Sequence, residues 1–198
     1  MQSTIHTPDQ GKSKLSHVGA QFFKLIEFDD KEELLLEVRK HSFGLILLIV
    51  TGVLIAFAVF LVVIVLASIG FLSDVGLDSA RPFIALLGFI LAVLAVVVTG
   101  INAQLYRSNV VYVTNEKIAQ VLYVTLFHRK ISQLNIGDVQ DVTVTQQGFL
   151  AHAFNYGTLV IETAGEQQNY TFTFVPEPHE AAKVIITAHE ANLKQYGN

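Results

Sequence analysis

The chain divides into stretches with different hydrophobic patterns. Residues 43–72 carry no charge, and Thr51, Ser68 and three glycines alone interrupt a Leu/Ile/Val/Phe/Ala run. A bilayer-spanning helix needs roughly 20 such residues, whereas helices buried in soluble proteins show runs of about 10–14. A second uncharged run covers residues 82–101. The link between the runs holds Asp74, Gly76, Asp78 and Ser79, which form turns and helix ends. The pattern predicts a transmembrane helical hairpin over 43–106, with spans at about 43–72 and 82–104.

The flanks read differently. Residues 1–20 are polar and aperiodic, which predicts a mobile tail. Residues 21–42 form a membrane-proximal segment. In it Phe22, Phe23, Leu25, Ile26 and Phe28 make an apolar cluster suited to the membrane surface or to docking on a folded domain. Leu34, Leu36 and Val38 then alternate with Leu35, Glu37 and Arg39. Period two favours a strand, the alternative being a helical extension of the first span.

Beyond residue 107, short β-branched and aromatic stretches predict strands at 110–114, 118–126, 129–136, 139–146 and 157–164. In a sixth, Tyr170, Phe172 and Phe174 face one way and Thr171 and Thr173 the other. Pro178 and Glu180 suit a helix start. Ala181, Val184, Ile185 and Ala188 then form an apolar stripe, and Gly197 is the expected stop. The plan is a membrane α+β protein: a two-helix transmembrane hairpin, then antiparallel strands with a C-terminal capping helix.

Composition adds a location. The 198 residues are 52% hydrophobic and 15% charged, against about 25% charged for a soluble domain. Residues 43–106 hold only Asp74, Asp78 and Arg81 of the thirty charged residues, so the low average belongs to the hairpin. The net charge of −4 argues against nucleic-acid binding. With no cysteine, thiolate metal sites and Cys nucleophiles are excluded. Lys24, Lys31, Arg39 and Lys40 precede the first span, and Arg107, Lys117, Arg129 and Lys130 follow the second; the loop has only Arg81. Both termini are therefore expected in the cytoplasm. The first span starts too late and runs too long for a cleavable signal, which predicts an uncleaved anchor.

No ionisable residue lies within either span. Channels and proton-coupled transporters place such groups there, so the hairpin reads as an anchor. The pairs Gly52 and Ala56, and Gly88 and Ala92, have the small-xxx-small spacing that lets helices approach, within the hairpin or between copies. Chance spacing in Gly/Ala-rich segments is the alternative.

Several short motifs carry a resemblance. Residues 112–118 read Tyr-Val-Thr-Asn-Glu-Lys-Ile; 129–134 read Arg-Lys-Ile-Ser-Gln-Leu and lead into Val139-Gln140-Asp141-Val142. Phe154-Asn155-Tyr156-Gly157-Thr158-Leu159 precedes Thr163-Ala164-Gly165-Glu166, and Glu33, Arg39 and His41 precede the hairpin. In order and spacing the sequence resembles the membrane-flanking bacterial pleckstrin-homology-like (PH-like, YdbS-type) proteins over residues 32–175. The resemblance implies a PH-like antiparallel β-barrel capped by the last helix, a bacterial cytoplasmic (inner) membrane location, self-association and a loose link to envelope stress. It implies no reaction. The turn at 125–128 lacks the glycine many relatives place there, which predicts a longer tip.

The remaining candidates are weighed by chemistry. Recognition of phosphorylated headgroups needs converging Lys and Arg, yet from residue 107 there are six Lys+Arg against eight Asp+Glu. The candidate headgroup contacts are Arg39, Lys40, His41 and Arg107 at the span ends, and His128, Arg129 and Lys130 at the hairpin tip. His179, His189 and Glu190 lack the His-Glu-x-x-His zinc spacing. Asp138 and Asp141 have no identifiable nucleophile or partner base beside them, and Asp141 is expected to face solvent. Residues 148–157, with Phe149, Leu150 and Phe154, suggest a short packed turn.

The sequence therefore predicts a non-enzymatic interaction or assembly module with no cofactor and no metal. Its expected partners are the lipid bilayer and either a second copy or another membrane protein. A membrane-surface sensor of lipid headgroups or peptides is the alternative.

Overall fold

In a computed structural model, residues 15–16, 19–20, 23, 26, 32–68, 76, 78–163 and 169–196 are described. The elements are β1 (Leu34–Arg39), α1 (Ser42–Ser68), a 3-10 turn (Asp78–Ala80), α2 (Arg81–Ser108), β2 (Val110–Thr114), β3 (Lys117–Thr125) and β4 (His128–Asn135). A second 3-10 turn (Ile136–Asp138), β5 (Val139–Thr145), α3 (Phe149–Ala153), β6 (Tyr156–Thr163), β7 (Tyr170–Pro176) and α4 (Pro178–Tyr196) follow. They form two compact units, Gly44–Gln104 and the rest of the chain.

The helical unit holds most of α1 and α2, which are 27 and 28 residues long. At about 1.5 Å per residue each reaches about 40 Å, beyond a hydrocarbon core of about 30 Å. Both are apolar enough to cross a membrane. Their large side chains, such as Leu54, Phe57, Leu87 and Phe89, are exposed. A Cβ on Gly52 would fall on the Thr99 side chain, and one on Gly88 on the Val63 side chain, so both glycines mark close approach within the hairpin. Ala56 is buried and Ala92 half-buried. The Thr99 hydroxyl donates to the Ala95 carbonyl (2.7 Å) and the Asn102 amide to Val98 (3.0 Å), which satisfies both groups within the helix.

The second unit is an α+β domain. Strands β1-β2-β3-β4 form one antiparallel sheet and β5-β6-β7 another. Val111, Val113, Ile118, Leu134, Leu159, Ile161, Phe172 and Val175 from both sheets pack with Ala181, Ile185 and Ala188 of α4 in one core. Each fully buried aliphatic side chain contributes about 1.5–3 kcal/mol. The α4 stripe is the one its periodicity predicts, with Val184 packed at its margin.

Residues 34–39 form a strand, not a helical extension, and β1 pairs with β2 from Leu34↔Thr114 to Arg39↔Val110. The segment expected to stand apart is thus an edge strand of the domain, and the apolar hairpin is inserted between β1 and β2. β2, Val-Val-Tyr-Val-Thr, is buried on both faces. Its outer face meets Phe23, Ile26 and Leu15, so of the N-terminal apolar cluster Phe23 and Ile26 dock on the domain. Phe22, Leu25 and Phe28 lie outside the described residues. Ser16, assigned by composition to the tail, donates its amide and hydroxyl to the Glu37 carboxylate, and the Tyr112 hydroxyl donates to the Gly19 carbonyl. Burial and the Glu37 carboxylate push the Tyr112 phenol above the ordinary tyrosine range. Residues 69–72 of the expected first span and Gly197 also lie outside the described residues.

Three further expectations need correction. Phe174 does not share the core face with Phe172. Between Gly157↔Val175 and Leu159↔Phe172 the register shifts by one, Phe174 takes a left-handed φ of 56°, and Val175 occupies the core position instead. The turn at 125–128 is short: Leu126 and Phe127 alone join β3 to β4, with non-left-handed backbones. A register shift between Tyr123 and Thr125 supplies the twist that glycine would otherwise give. Finally, residues 149–153 form a helix that packs only in part: Ala151 is buried and Phe154 stacks on Phe43, whereas Phe149 is 84% exposed and Leu150 is also exposed.

Candidate functional site

The site is the junction at which the apolar helices join the domain. β1 ends at Arg39, and Lys40 and His41 lead into α1; Tyr106 and Arg107 lie in the last turn of α2. The Tyr106 hydroxyl donates to the His41 carbonyl at 2.9 Å, and the His41 amide donates to the Phe174 carbonyl at 2.6 Å. His41 Nδ1 accepts the Phe43 amide (3.0 Å), capping the first turn of α1. Two chain segments 65 residues apart are thereby tied to one point of β7.

Aromatic rings complete the clasp. Phe43 stacks on Phe154 and Tyr156 at centroid distances of 4.8 and 5.2 Å, Tyr156 stacks on Phe174 at 5.3 Å, and Tyr106 meets Phe174 edge-on at 6.2 Å. Such pairs contribute about 0.5–1.5 kcal/mol each beyond their burial. The backbone here is strained. Asn155, Phe174 and Glu177 are the described non-glycine residues with left-handed φ, and the Glu177 amide donates to the Asn155 carbonyl. Strain of this kind persists where surrounding contacts over-determine it, and it concentrates at functional sites. Gly157 lies beside the cluster because a Cβ there would come 2.8 Å from the Thr145 carbonyl oxygen.

Next to the clasp is a cavity of about 90 Å³, room for about three waters. Arg39, Lys40, Asn109, Gln120, Thr171 and Thr173 supply its polar lining. Arg39 Nε is buried without a hydrogen-bond partner, and its Nη2 reaches the Arg107 carbonyl only at 3.5 Å. Lys40 Nζ lies 5.2 Å from the centroid of the Tyr106 ring, and burial lowers its pKa below the ordinary lysine value. A group of cations in this setting can receive an anion the size of a phosphate.

The structure therefore gathers Arg39, Lys40, His41 and the Arg107 carbonyl, while the Arg107 side chain is exposed. His128, Arg129 and Lys130 are not part of this cluster; they stand exposed at the start of β4. Gly52, Ala56, Gly88 and Ala92 belong to the helical unit.

The other sequence candidates have local partners. Asp141 accepts its neighbours' Val142 amide and Thr143 hydroxyl. His152 Nδ1 lies 3.0 Å from the Gly148 carbonyl, and His189 Nδ1 2.7 Å from that of Ile136, tying α4 to the 3-10 turn before β5. His179 and Asp138 are exposed. Among the described residues no group of three His, Asp or Glu is placed to hold a metal ion.

Sequence reasoning missed the ring cluster, whose members come from five separate elements and loops. The available signal was an aromatic residue at the domain end of each apolar run, Phe43 and Tyr106. It also missed the ion pair between Lys117 Nζ and the fully buried Glu32 carboxylate (2.9 Å), which Thr114 supports by hydrogen bond.

The chain matches no curated protein and no solved structure. The sequence model described as the bacterial PH domain matches residues 34–188, from β1 through both apolar helices to α4. The two sheets, the hairpin inserted after β1 and the capping helix as far as Ala188 lie inside that one match, and the chain belongs to the bacterial PH domain family.

Proposed function

We propose that α1 and α2 cross the bacterial cytoplasmic membrane and hold the PH domain at its cytoplasmic face as a non-enzymatic interaction and assembly module. The junction carries this reading. The residues at the domain end of each apolar helix, His41 and Tyr106, are held together with Phe174 inside one unit. The excess of Lys and Arg on the domain side of both helices orients the termini toward the cytoplasm.

A domain tethered in this way keeps its remaining surface for partners. β5 is the outer strand of its sheet, with Gln140, Asp141, Thr143 and Thr145 exposed. An edge of this kind accepts another strand. The partner is a second copy or another membrane protein. Because the chain has no cysteine, Thr143→Cys supplies a unique crosslinking site in native membranes. Recovery of a homo-oligomer or one defined partner supports the module; monomer alone under several crosslinking chemistries removes it.

A second reading, a sensor of lipid headgroups, is favoured by the buried, unpartnered Arg39 Nε beside Lys40. Short-chain phosphatidylglycerol then stabilises the full chain against heat, and Arg39→Gln/Lys40→Gln abolishes the effect. No stabilisation of the parent protein eliminates this reading.

A further inference from the structure

Two apolar tips lie near the junction, and each carries a phenylalanine, Phe127 and Phe149, whose side chain is left largely exposed by the fold. The first is the β3–β4 turn. β2 starts at Val110, which pairs with Val121, and the Asn109 side chain accepts the Tyr123 amide at 2.7 Å. Residues after Tyr123 therefore run past the point at which α2 joins the sheet. The two further strand residues, Val124 and Thr125, at about 3.3 Å each extend about 7 Å before the turn. At the end of this projection Phe127 is 99% exposed, with Leu126 and Val124 about half exposed.

The second tip is α3, between β5 and β6. Its Phe149 and Leu150 are exposed, and Phe154, just beyond it, stacks on Phe43 in the first turn of α1. Both tips thus lie close to residues of the domain's own unit at which the chain enters and leaves the hairpin, Phe43 and Asn109.

Isolated exposed apolar side chains are ordinary. These differ in where they are concentrated and in the charge around them. No Asp or Glu occurs between residues 117 and 137, where Arg129 and Lys130 follow the tip directly. Residues 142–161, which include the second tip, carry no charge at all, although the whole chain is at −4. The first tip, apolar and backed by Arg129 and Lys130, matches an anionic bilayer surface, where side chains enter about 5–10 Å and basic residues meet phosphates; the second, with Glu177 bonded to the neighbouring Asn155, offers apolar side chains only.

We propose that Leu126–Phe127 and Phe149–Leu150 seat in the boundary between headgroups and acyl chains of an anionic bilayer, with Arg129 and Lys130 on lipid phosphates. The domain is then held at two points beside its tethers, which fixes its orientation and the direction in which β5 faces. This rests on the reading that α1 and α2 span that same bilayer.

The test uses the full chain in vesicles of mixed phosphatidylcholine and phosphatidylglycerol. Single cysteines carry an environment-sensitive fluorophore at Thr125→Cys and Ala153→Cys beside the tips, at Asp138→Cys beyond the far end of β4, and at Val96→Cys within α2. Spin-labelled lipids are the quencher. The expected result is a blue shift and quenching at 125 and 153, and neither at 138. Leu126→Ser/Phe127→Ser abolishes quenching at 125 while the melting temperature is unchanged, and Arg129→Glu/Lys130→Glu weakens it in anionic vesicles only.

If 96 is quenched while 125 and 153 behave like 138, the tip proposal is overturned and the membrane-spanning reading stands. If 96 is not quenched, the spanning reading itself fails, and the proposal with it. A blue shift at 125 without lipid quenching assigns the tip to a second copy or another protein and equally overturns the proposal.

Discussion

Strand β3 ends in two tight turns of opposite chemistry. At one end Asn115–Glu116 joins it to β2; at the other Leu126–Phe127 joins it to β4. Around the first, Thr114 accepts the Glu116 and Lys117 amides, Asn115 bonds Glu33 through both side chain and backbone, and Lys117 pairs with buried Glu32. The second presents a fully exposed phenylalanine. Both turns have two residues, so the difference is not one of loop length. The first turn is stabilised from within the fold, while the second leaves its apolar surface for something outside it.

The largest expected effect lies at the polar turn. Lys117→Ala removes the ammonium 2.9 Å from the buried Glu32 carboxylate, and breaking a buried pair in this way costs about 3–5 kcal/mol. The double change Glu32→Leu/Lys117→Leu recovers most of that loss, because no buried charge is then left unpaired. Denaturant unfolding of the detergent-solubilised chain measures both. Equal losses in the single and double variants would mean that packing, not charge, holds this end.

Next comes Gly157→Ala, on the strand that leads away from the ring cluster. The added Cβ meets a backbone carbonyl at 2.8 Å, which cannot swing aside as a side chain can. The expected loss is about 1–3 kcal/mol. A neutral result would show that β6 can move away from β5 at low cost and that the clasp is less rigid than its contacts imply.

The two ends were not equally legible in the sequence. Uncharged runs identified both long helices, and the unbroken Val-Val-Tyr-Val-Thr of β2 already departs from half-buried alternation. What covers β2 was hidden, because the apolar cluster around Phe23 and Ile26 suits a membrane surface as well as a sheet and does not name what it docks on. Period-two reading also ran straight through Phe174, since a bulge leaves no signature unless a glycine marks it. Of the candidate site, Arg39, Lys40 and His41 were visible as a run. Their meeting with Tyr106 and Phe174 depends on a pairing across the inserted hairpin, which spacing along the chain does not encode. The Leu126–Phe127 tip was visible only as a missing glycine; the bulge that replaces it came from the register.

A smaller effect separates the cavity from the tips. Burial lowers the pKa of Lys40 below the ordinary value of 10.5, so its charged form is disfavoured on folding. In the window between the lowered and ordinary values the unfolded chain binds more protons, and stability rises with pH. Relative to Lys40→Met, the parent protein therefore gains thermal stability as pH climbs through that window toward 10.5. A difference that stays flat would place the ammonium in solvent, away from the Tyr106 ring.

The smallest expected effect is the sharpest form of the comparison. Leu126→Ser/Phe127→Ser replaces two large apolar side chains, a change that in a core would cost several kcal/mol. Here it is expected to stay within about 0.5 kcal/mol, because Phe127 has no intramolecular packing to lose and Leu126 only part. The same unfolding measurement that registers Lys117→Ala as severe should register this double change as nearly silent. A loss comparable to that at the polar turn would mean that the tip packs within the fold, and the case for an external surface meeting Phe127 would end there.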